Sequence, residues 1–283
     1  MEHSWGRLAV MRATYLLMVA VMLPAACSSS PSPSTASRPI PSTNTTAPPV
    51  LGPVALASQQ AVSPLYSQGV ARVPGGWIFS FLNGLYRTDD RIRVLRRLMP
   101  AIPAPWAARG FDHIGDIDVV GNIVYAPLEQ PNYAKGQQAT ARYDRDSLRF
   151  IDAVLLPQHE NSFVTVDPST MTAYSMDHFD GNALLRYDVA HGWKRLAPLQ
   201  LSEVLHHTQG ADIAHDAVWI STSDPRNDLY RVDLATGQTT LIGSMGHPGG
   251  EGEGIDATDL PSGFLHTLCV DPRLAPVWFE HFR

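Results

Sequence analysis

The chain has 283 residues, 44% of them hydrophobic, and a formal net charge of -6. That length and apolar fraction allow one sizeable buried core, and the acidic balance lacks the basic face that nucleic-acid binding requires, so no nucleic-acid partner is expected.

At the N-terminus, Arg7 and Arg12 flank the approach to an apolar run over residues 13–26. A run of about 14 residues suits the core of an export signal and is too short to cross a bilayer as a helix. Met11 offers a second start. The run ends in Leu23-Pro24-Ala25-Ala26-Cys27-Ser28, which resembles a bacterial lipoprotein signal, where small residues precede a lipidated cysteine. Pro24 departs from the leucine usual at its position. The resemblance implies that residues 1–27 are a signal ending in a diacylated, palmitate-type Cys27. The protein would then sit on the extracytoplasmic side of the cell membrane, held by two or more acyl chains, enough for stable anchoring.

Residues 28–51 are almost wholly Ser, Thr and Pro with no apolar periodicity, the composition of an extended, unpacked tether. With Cys27 lipidated, Cys269 is the remaining cysteine. The folded body then has no internal disulfide, and a buried structural thiol is expected there.

From residue 52 onward the chain repeats itself. The clearest unit is 211–244, where strands are expected at 212–214, 217–221, 228–233 and 238–242, separated by His215-Asp216, Asp224-Pro225 and Ala235-Thr236-Gly237. Second strands at Trp77-Ile78-Phe79, Ile123-Val124-Tyr125, Thr172-Ala173-Tyr174, Val218-Trp219-Ile220 and Phe264-Leu265-His266 recur about every 45 to 49 residues. Third strands follow in step at Leu85-Tyr86-Arg87, Ala141-Arg142-Tyr143-Asp144, Leu185-Arg186-Tyr187-Asp188 and Tyr230-Arg231-Val232-Asp233. Four strands per unit at this period predict an all-β fold, a β-propeller of five four-stranded blades over residues 52–283. The fifth unit runs out after its third strand, and residues 53–57 supply a spare one. That N-terminal strand is expected to complete the last blade and close the ring, removing two exposed sheet edges.

Phrases such as Tyr230-Arg231-Val232-Asp233-Leu234-Ala235-Thr236-Gly237 resemble the blades of YVTN-type and gluconolactonase or paraoxonase-like propellers. The resemblance implies a ligand at one mouth of the central channel, and calcium on acidic and amide side chains in the hydrolytic members. Fold alone does not transmit an activity.

Loops from fourth to next first strand share one face with loops from second to third strand. The first set carries Gln68, Asp112, His113, Asp116, His159, Glu160, Asn161, His206, His207, Gln209, Glu251 and Glu253. The second carries Glu129, Asp177, His178, Asp180, Asp224 and Asp271. Three readings of this mouth stand side by side. Its polarity is that of ordinary loops; or Glu253, Glu160, Asn161 and Asp116, with Gln209, offer oxygen ligands to calcium; or, as the lactonase-like resemblance implies, a metal polarises an ester or lactone with His113 or His207 as base. No GxSxG, HExxH or phosphate-loop motif is present. The resulting expectation is a monomeric, lipid-anchored propeller that binds a small molecule or a cell-envelope protein at Gln68, Asp116, Glu160, Asn161, Gln209 and Glu253. The alternative is a calcium-dependent hydrolase at the same mouth.

Overall fold

Runs of β-branched and aromatic residues, cut every few positions by Gly, Asp, Asn or Pro, determine the local structure. The computed structural model describes residues 53–271 and 276–283, and the expected signal, Cys27 and the tether lie outside them. A first strand, β1 (Leu56–Val62), precedes the repeats. Blade one is the meander β2 (Gly69–Val73), β3 (Gly76–Phe81), β4 (Gly84–Asp89) and β5 (Val94–Leu98). Blade two has a split inner strand, β6 (His113–Ile114) and β7 (Asp118–Val120), both paired with β8 (Ile123–Glu129), then β9 (Gln138–Asp144) and β10 (Phe150–Leu156). Blade three runs β11 (Thr165–Asp167), β12 (Thr172–Ser175) and β13 (Asp180–Asp188). Its outer strand is split into β14 (Lys194–Arg195) and β15 (Leu199–His206). Pro198 lies in that gap, where a residue without an N–H cannot extend the ladder.

Blade four is β16 (Thr208–Ala214), β17 (Ala217–Thr222), β18 (Asp228–Asp233) and β19 (Thr239–Ser244). Its two inner hairpins fall where the sequence predicts them. The innermost strand begins four residues earlier than expected, because Thr208 and Gly210 still pair with Thr222 and Ser221. Blade five is β20 (Glu251–Asp256), β21 (Leu265–Val270) and β22 (Val277–Phe282), with β1 as its outermost strand in the order β1-β22-β21-β20. The protein is therefore an all-β propeller of five four-stranded antiparallel blades, closed by its N-terminal strand.

The closing strand sits later than expected. Residues 56–62 pair with β22, from Leu56 opposite Phe282 to Val62 opposite Val277. Ala55 and Arg283 exchange backbone hydrogen bonds of 2.7 and 2.9 Å, whereas Val54 turns away to donate to Ile242 of β19 at 2.7 Å. The sequence Leu-Ala-Ser-Gln-Gln-Ala-Val is exposed along nearly its whole length, so no apolar alternation marked its register.

Between blades, the sheet faces interlock through large side chains. Ile78, Leu85, Ile114, Val124 and Tyr143 fill one such layer, Val164, Val166, Ala173 and Tyr187 another, and Phe163, Met176, Val218 and Ile220 a third. Trp219, Leu229, Ile255 and Phe282 form the fourth. The joint between blades five and one is aromatic: Phe279 meets Trp77 and Phe79 edge to face at 4.9 and 5.6 Å, a geometry that adds to the burial of the rings themselves. Cys269 is fully buried, and burial drives its thiol pKa far up, leaving an inert packing residue.

Candidate ligand-binding site at the channel mouth

Five inner strands must converge on one axis, and the residues at the convergence decide whether that axis is open. Positions 69, 116, 163, 210 and 254 recur about 47 residues apart, and three of the five are glycine. A Cβ on Gly69 would stand 2.7 Å from Asp116 Oδ1, one on Gly210 2.6 Å from Oδ2, and one on Gly254 2.8 Å from Oδ1. The glycines make room, and the Asp116 carboxylate fills it. Oδ1 accepts from the N–H of Val70 (3.1 Å) and of Ile117 (3.0 Å); Oδ2 accepts from Ala211 (3.0 Å) and Ile255 (3.2 Å). The Asp116 N–H donates to Ser162 O at 2.7 Å, so one residue touches all five blades. Burial pushes its pKa well above the usual carboxylate range, and the four N–H donors oppose that push. With two donors on each oxygen, neither is set up to carry a proton.

Two residues further along three of the five inner strands, a second layer of carboxylates links neighbours. Asp118 Oδ2 accepts from Val166 N (2.6 Å), Asp212 Oδ2 from Ala257 N (2.7 Å), and Asp256 Oδ2 from Arg72 N (2.6 Å). Burial raises all three, Asp118 to about 6 and Asp256 to about 7. None of these roles was read from the sequence, although the recurrence of Asp at 118, 212 and 256, two places beyond the axial position, carried the signal.

Above the plug lies the mouth. Glu253 is 3% exposed and accepts a 3.3 Å hydrogen bond from the Gln68 amide, while its own carbonyl accepts from the Ser221 hydroxyl. Burial pushes its pKa well up, and the neighbouring carboxylates of Glu251, Asp116 and Glu129 push the same way. Glu129, at the end of β8, is buried and accepts from Asn161 N at 2.7 Å. His113 is buried opposite it in the ladder. Gln209 is half-buried.

The remaining expected residues turn to other partners. Asn161 donates from Nδ2 to Ala139 O (2.7 Å), and its Oδ1 accepts from Gln158 and Ser175 (both 2.9 Å). Glu160, raised by burial, accepts from Phe179 N at 3.1 Å. The structure thus brings Gln68, Glu253, Glu129 and Asp116 together and commits Asn161 and Asp116 to holding loops and strands. Gln158, which also accepts from Tyr187 OH at 2.8 Å, joins that frame without having been anticipated. Among the described residues, no group of three or more His, Cys, Asp or Glu is arranged to hold a metal ion.

The rim between blades three and four is aromatic. His178 is buried with Nδ1 2.8 Å from Thr208 O, and burial lowers its pKa to about 4, so the ring is neutral. Phe179 and half-buried His207 pack edge to face at 5.6 Å, and His207 holds a left-handed φ of 54°, an uncommon conformation for a residue with a side chain. His206 points the other way, to Asp180 at 2.8 Å on the surface.

Fold and site together define a five-bladed propeller with a plugged axis and an acidic, partly aromatic mouth. No protein-family model and no curated protein matches the chain. Among solved structures it is similar to glutaminyl cyclase of Myxococcus xanthus, with a TM-score of 0.57 and 13% identity over 81% of this chain and 95% of that one. Hydrazine synthase of Kuenenia stuttgartiensis is similar at a TM-score of 0.45 and 10% identity, over 75% of this chain and 58% of that one. At these identities the likeness to glutaminyl cyclase shows the propeller fold alone, and the second likeness carries no argument. The YVTN and gluconolactonase likeness stays a matter of blade phrasing.

Proposed function

We propose that this protein is an exported, lipid-anchored propeller that binds a small basic ligand at its mouth, with Glu253 receiving the ligand's positive charge. The observation that carries the reading is the state of Glu253: its carboxyl is pushed up by burial, with three acidic neighbours pushing the same way, and is met by one long amide hydrogen bond. Such a carboxyl holds a proton or pairs with a cation, since leaving it charged and unpaired in the interior is costly. Phe179 on the rim supplies an aromatic ring of the kind whose face attracts an organic cation.

The test is a thermal-shift and calorimetric titration with small amines. A short peptide with amino-terminal glutamine is the first probe, because the fold is similar to that of a glutaminyl cyclase; its amino-acetylated form is the control. Binding of the free amine, at least about tenfold weaker in Glu253→Gln, supports the reading, because truncating one member of a buried charge pair costs about 2–5 kcal/mol. Equal binding by the acetylated control or by the variant refutes it. Release of ammonia from the glutamine peptide would add turnover to binding. The calcium-dependent hydrolase reading is examined in the same experiment: it requires calcium to raise the melting temperature and chelator to lower it.

A further inference from the structure

Away from the mouth, β21 and β22 carry a histidine pair that neither the propeller fold nor the proposed ligand site uses. His266 and His281 are direct cross-strand partners. Directly opposed residues project to the same face of a sheet, and here the two Nδ1 atoms stand 2.6 Å apart. His266 Nε2 lies 3.2 Å from Asp259 Oδ2. Trp77 of blade one and Phe279 wall the pair, with ring centroids 4.8 and 5.9 Å from His266. His266 is 5% exposed, whereas His281 is half-buried and opens the pair to solvent.

We propose that His266 and His281 form a chelating site for a divalent transition metal of tetragonal preference, copper(II) before zinc. A carboxylate only accepts hydrogen bonds, so Asp259 fixes the His266 proton on Nε2 and leaves the Nδ1 lone pair facing His281. A carboxylate behind the far nitrogen of a histidine is the arrangement that orients metal-ligating imidazoles and raises their basicity. In the metal-free protein the short Nδ1 to Nδ1 contact requires His281 to donate its proton to His266. Metal binding moves that His281 proton to its outward Nε2 through solvent, so both lone pairs converge with no net proton released.

The separation of the nitrogens sets how far the rings must move to hold a metal. At metal–nitrogen distances of about 2.0–2.1 Å, a right-angled pair needs nitrogens about 2.9 Å apart and a tetrahedral pair about 3.3 Å. The hydrogen-bonded 2.6 Å is shorter than either, so the rings must open for any metal, by less for two adjacent corners of a square, and copper(II) binds imidazole nitrogen more tightly than zinc does. The charged groups facing the pair are Asp259 and, beside it, the Arg72 guanidinium, whose Nε is 3.4 Å from Asp259 Oδ2 and whose other arm reaches Asp90 at 2.6 Å. Asp256, opposite His266 on β20, adds a third carboxyl against that one cation.

The experiment is copper(II) titration of the full chain followed by calorimetry and electron paramagnetic resonance. The reference chain carries His3→Ala, so that a histidine outside the described residues adds no copper binding of its own wherever residues 1–3 are retained. One equivalent bound with a two-nitrogen signature and a raised melting temperature is expected. His281→Gln should weaken binding at least about tenfold and abolish the melting shift. Asp259→Asn keeps both imidazoles and should weaken binding by about 10- to 100-fold. A one-nitrogen signature overturns the proposal. So does copper binding unchanged in either variant, and should His281→Gln fail to fold, Asp259→Asn alone decides.

Discussion

Removing the Asp116 carboxylate tests what holds the blades at the axis. Each oxygen accepts two backbone N–H groups, drawn from blades one, two, four and five. In Asp116→Asn one oxygen becomes an NH2 that faces two donors, so two hydrogen bonds to a charged acceptor are lost at about 1.5–3 kcal/mol each. Relief of the charge's desolvation offsets part of that, leaving about 2–4 kcal/mol. In Asp116→Ala four N–H groups are orphaned in the interior at about 1–3 kcal/mol each, which approaches the whole stability of a domain. For a domain of this size each kcal/mol moves the melting temperature by about 2–4 °C. The asparagine variant should therefore melt about 5–15 °C below wild type, and the alanine variant lower still or not fold. Differential scanning calorimetry with a denaturant series reads both. An asparagine variant that melts with or above wild type would show that desolvation of the buried charge outweighs its four donors and that Asp116 does not hold the blades at the axis.

Truncation separates tether from fold: deleting residues 28–50 should leave the melting temperature nearly unchanged, whereas deletion through Val62 removes the strand paired with β22 and should lower it sharply, equal melts refuting the closure. Asp256 is raised to about 7 by burial, so the folded state holds a proton that the unfolded chain releases near pH 4. Its stabilising contribution is full below that pH and is lost as pH rises through 7. Relative to Asp256→Asn, wild type should lose about 2 kcal/mol between pH 5 and 8; a constant difference in urea melts at the two pH values would contradict the assignment. Replacing Cys27 with Ala should shift the protein from the membrane to the soluble fraction or stall the precursor, and unchanged retention and processing would refute lipidation.

The blades were legible because each is a local object: Val218-Trp219-Ile220 and Tyr230-Arg231-Val232-Asp233 carry their pattern and the turn between them within sixteen residues, and the period multiplies the signal. The closing strand was legible only by counting, since Leu56–Val62 is too polar to announce its register. The mouth divides along similar lines. The polarity of the first-strand loops showed that Gln68 and Glu253 share a rim, but whether a side chain faces the ligand or its own scaffold depends on contacts across blades. Asn161 and Asp116 carry the chemistry of ligands and are spent on backbone groups, as Ala139 O and Val70 N show. Glycine at three of five axial positions marks space around Asp116, and that is visible only when the five strands are superposed on one axis.

The pairing of Leu56 with Phe282 joins residues that lie almost the whole folded sequence apart. Contacts of such separation form late, because a long loop's entropy is spent before any pairing rewards it. Until they form, β22 lacks its outer neighbour and presents an unpaired edge on which another chain can build a strand. The same proximity makes the ends of the folded body interchangeable with any surface turn: linking Arg283 to Ala55 and opening the chain at Gly192, a turn glycine with φ of 75°, would move the seam from blade five to blade three. In that rearranged chain the ring would be closed by a pairing of different composition, and the rate of refolding would report how much of the present delay belongs to the seam itself.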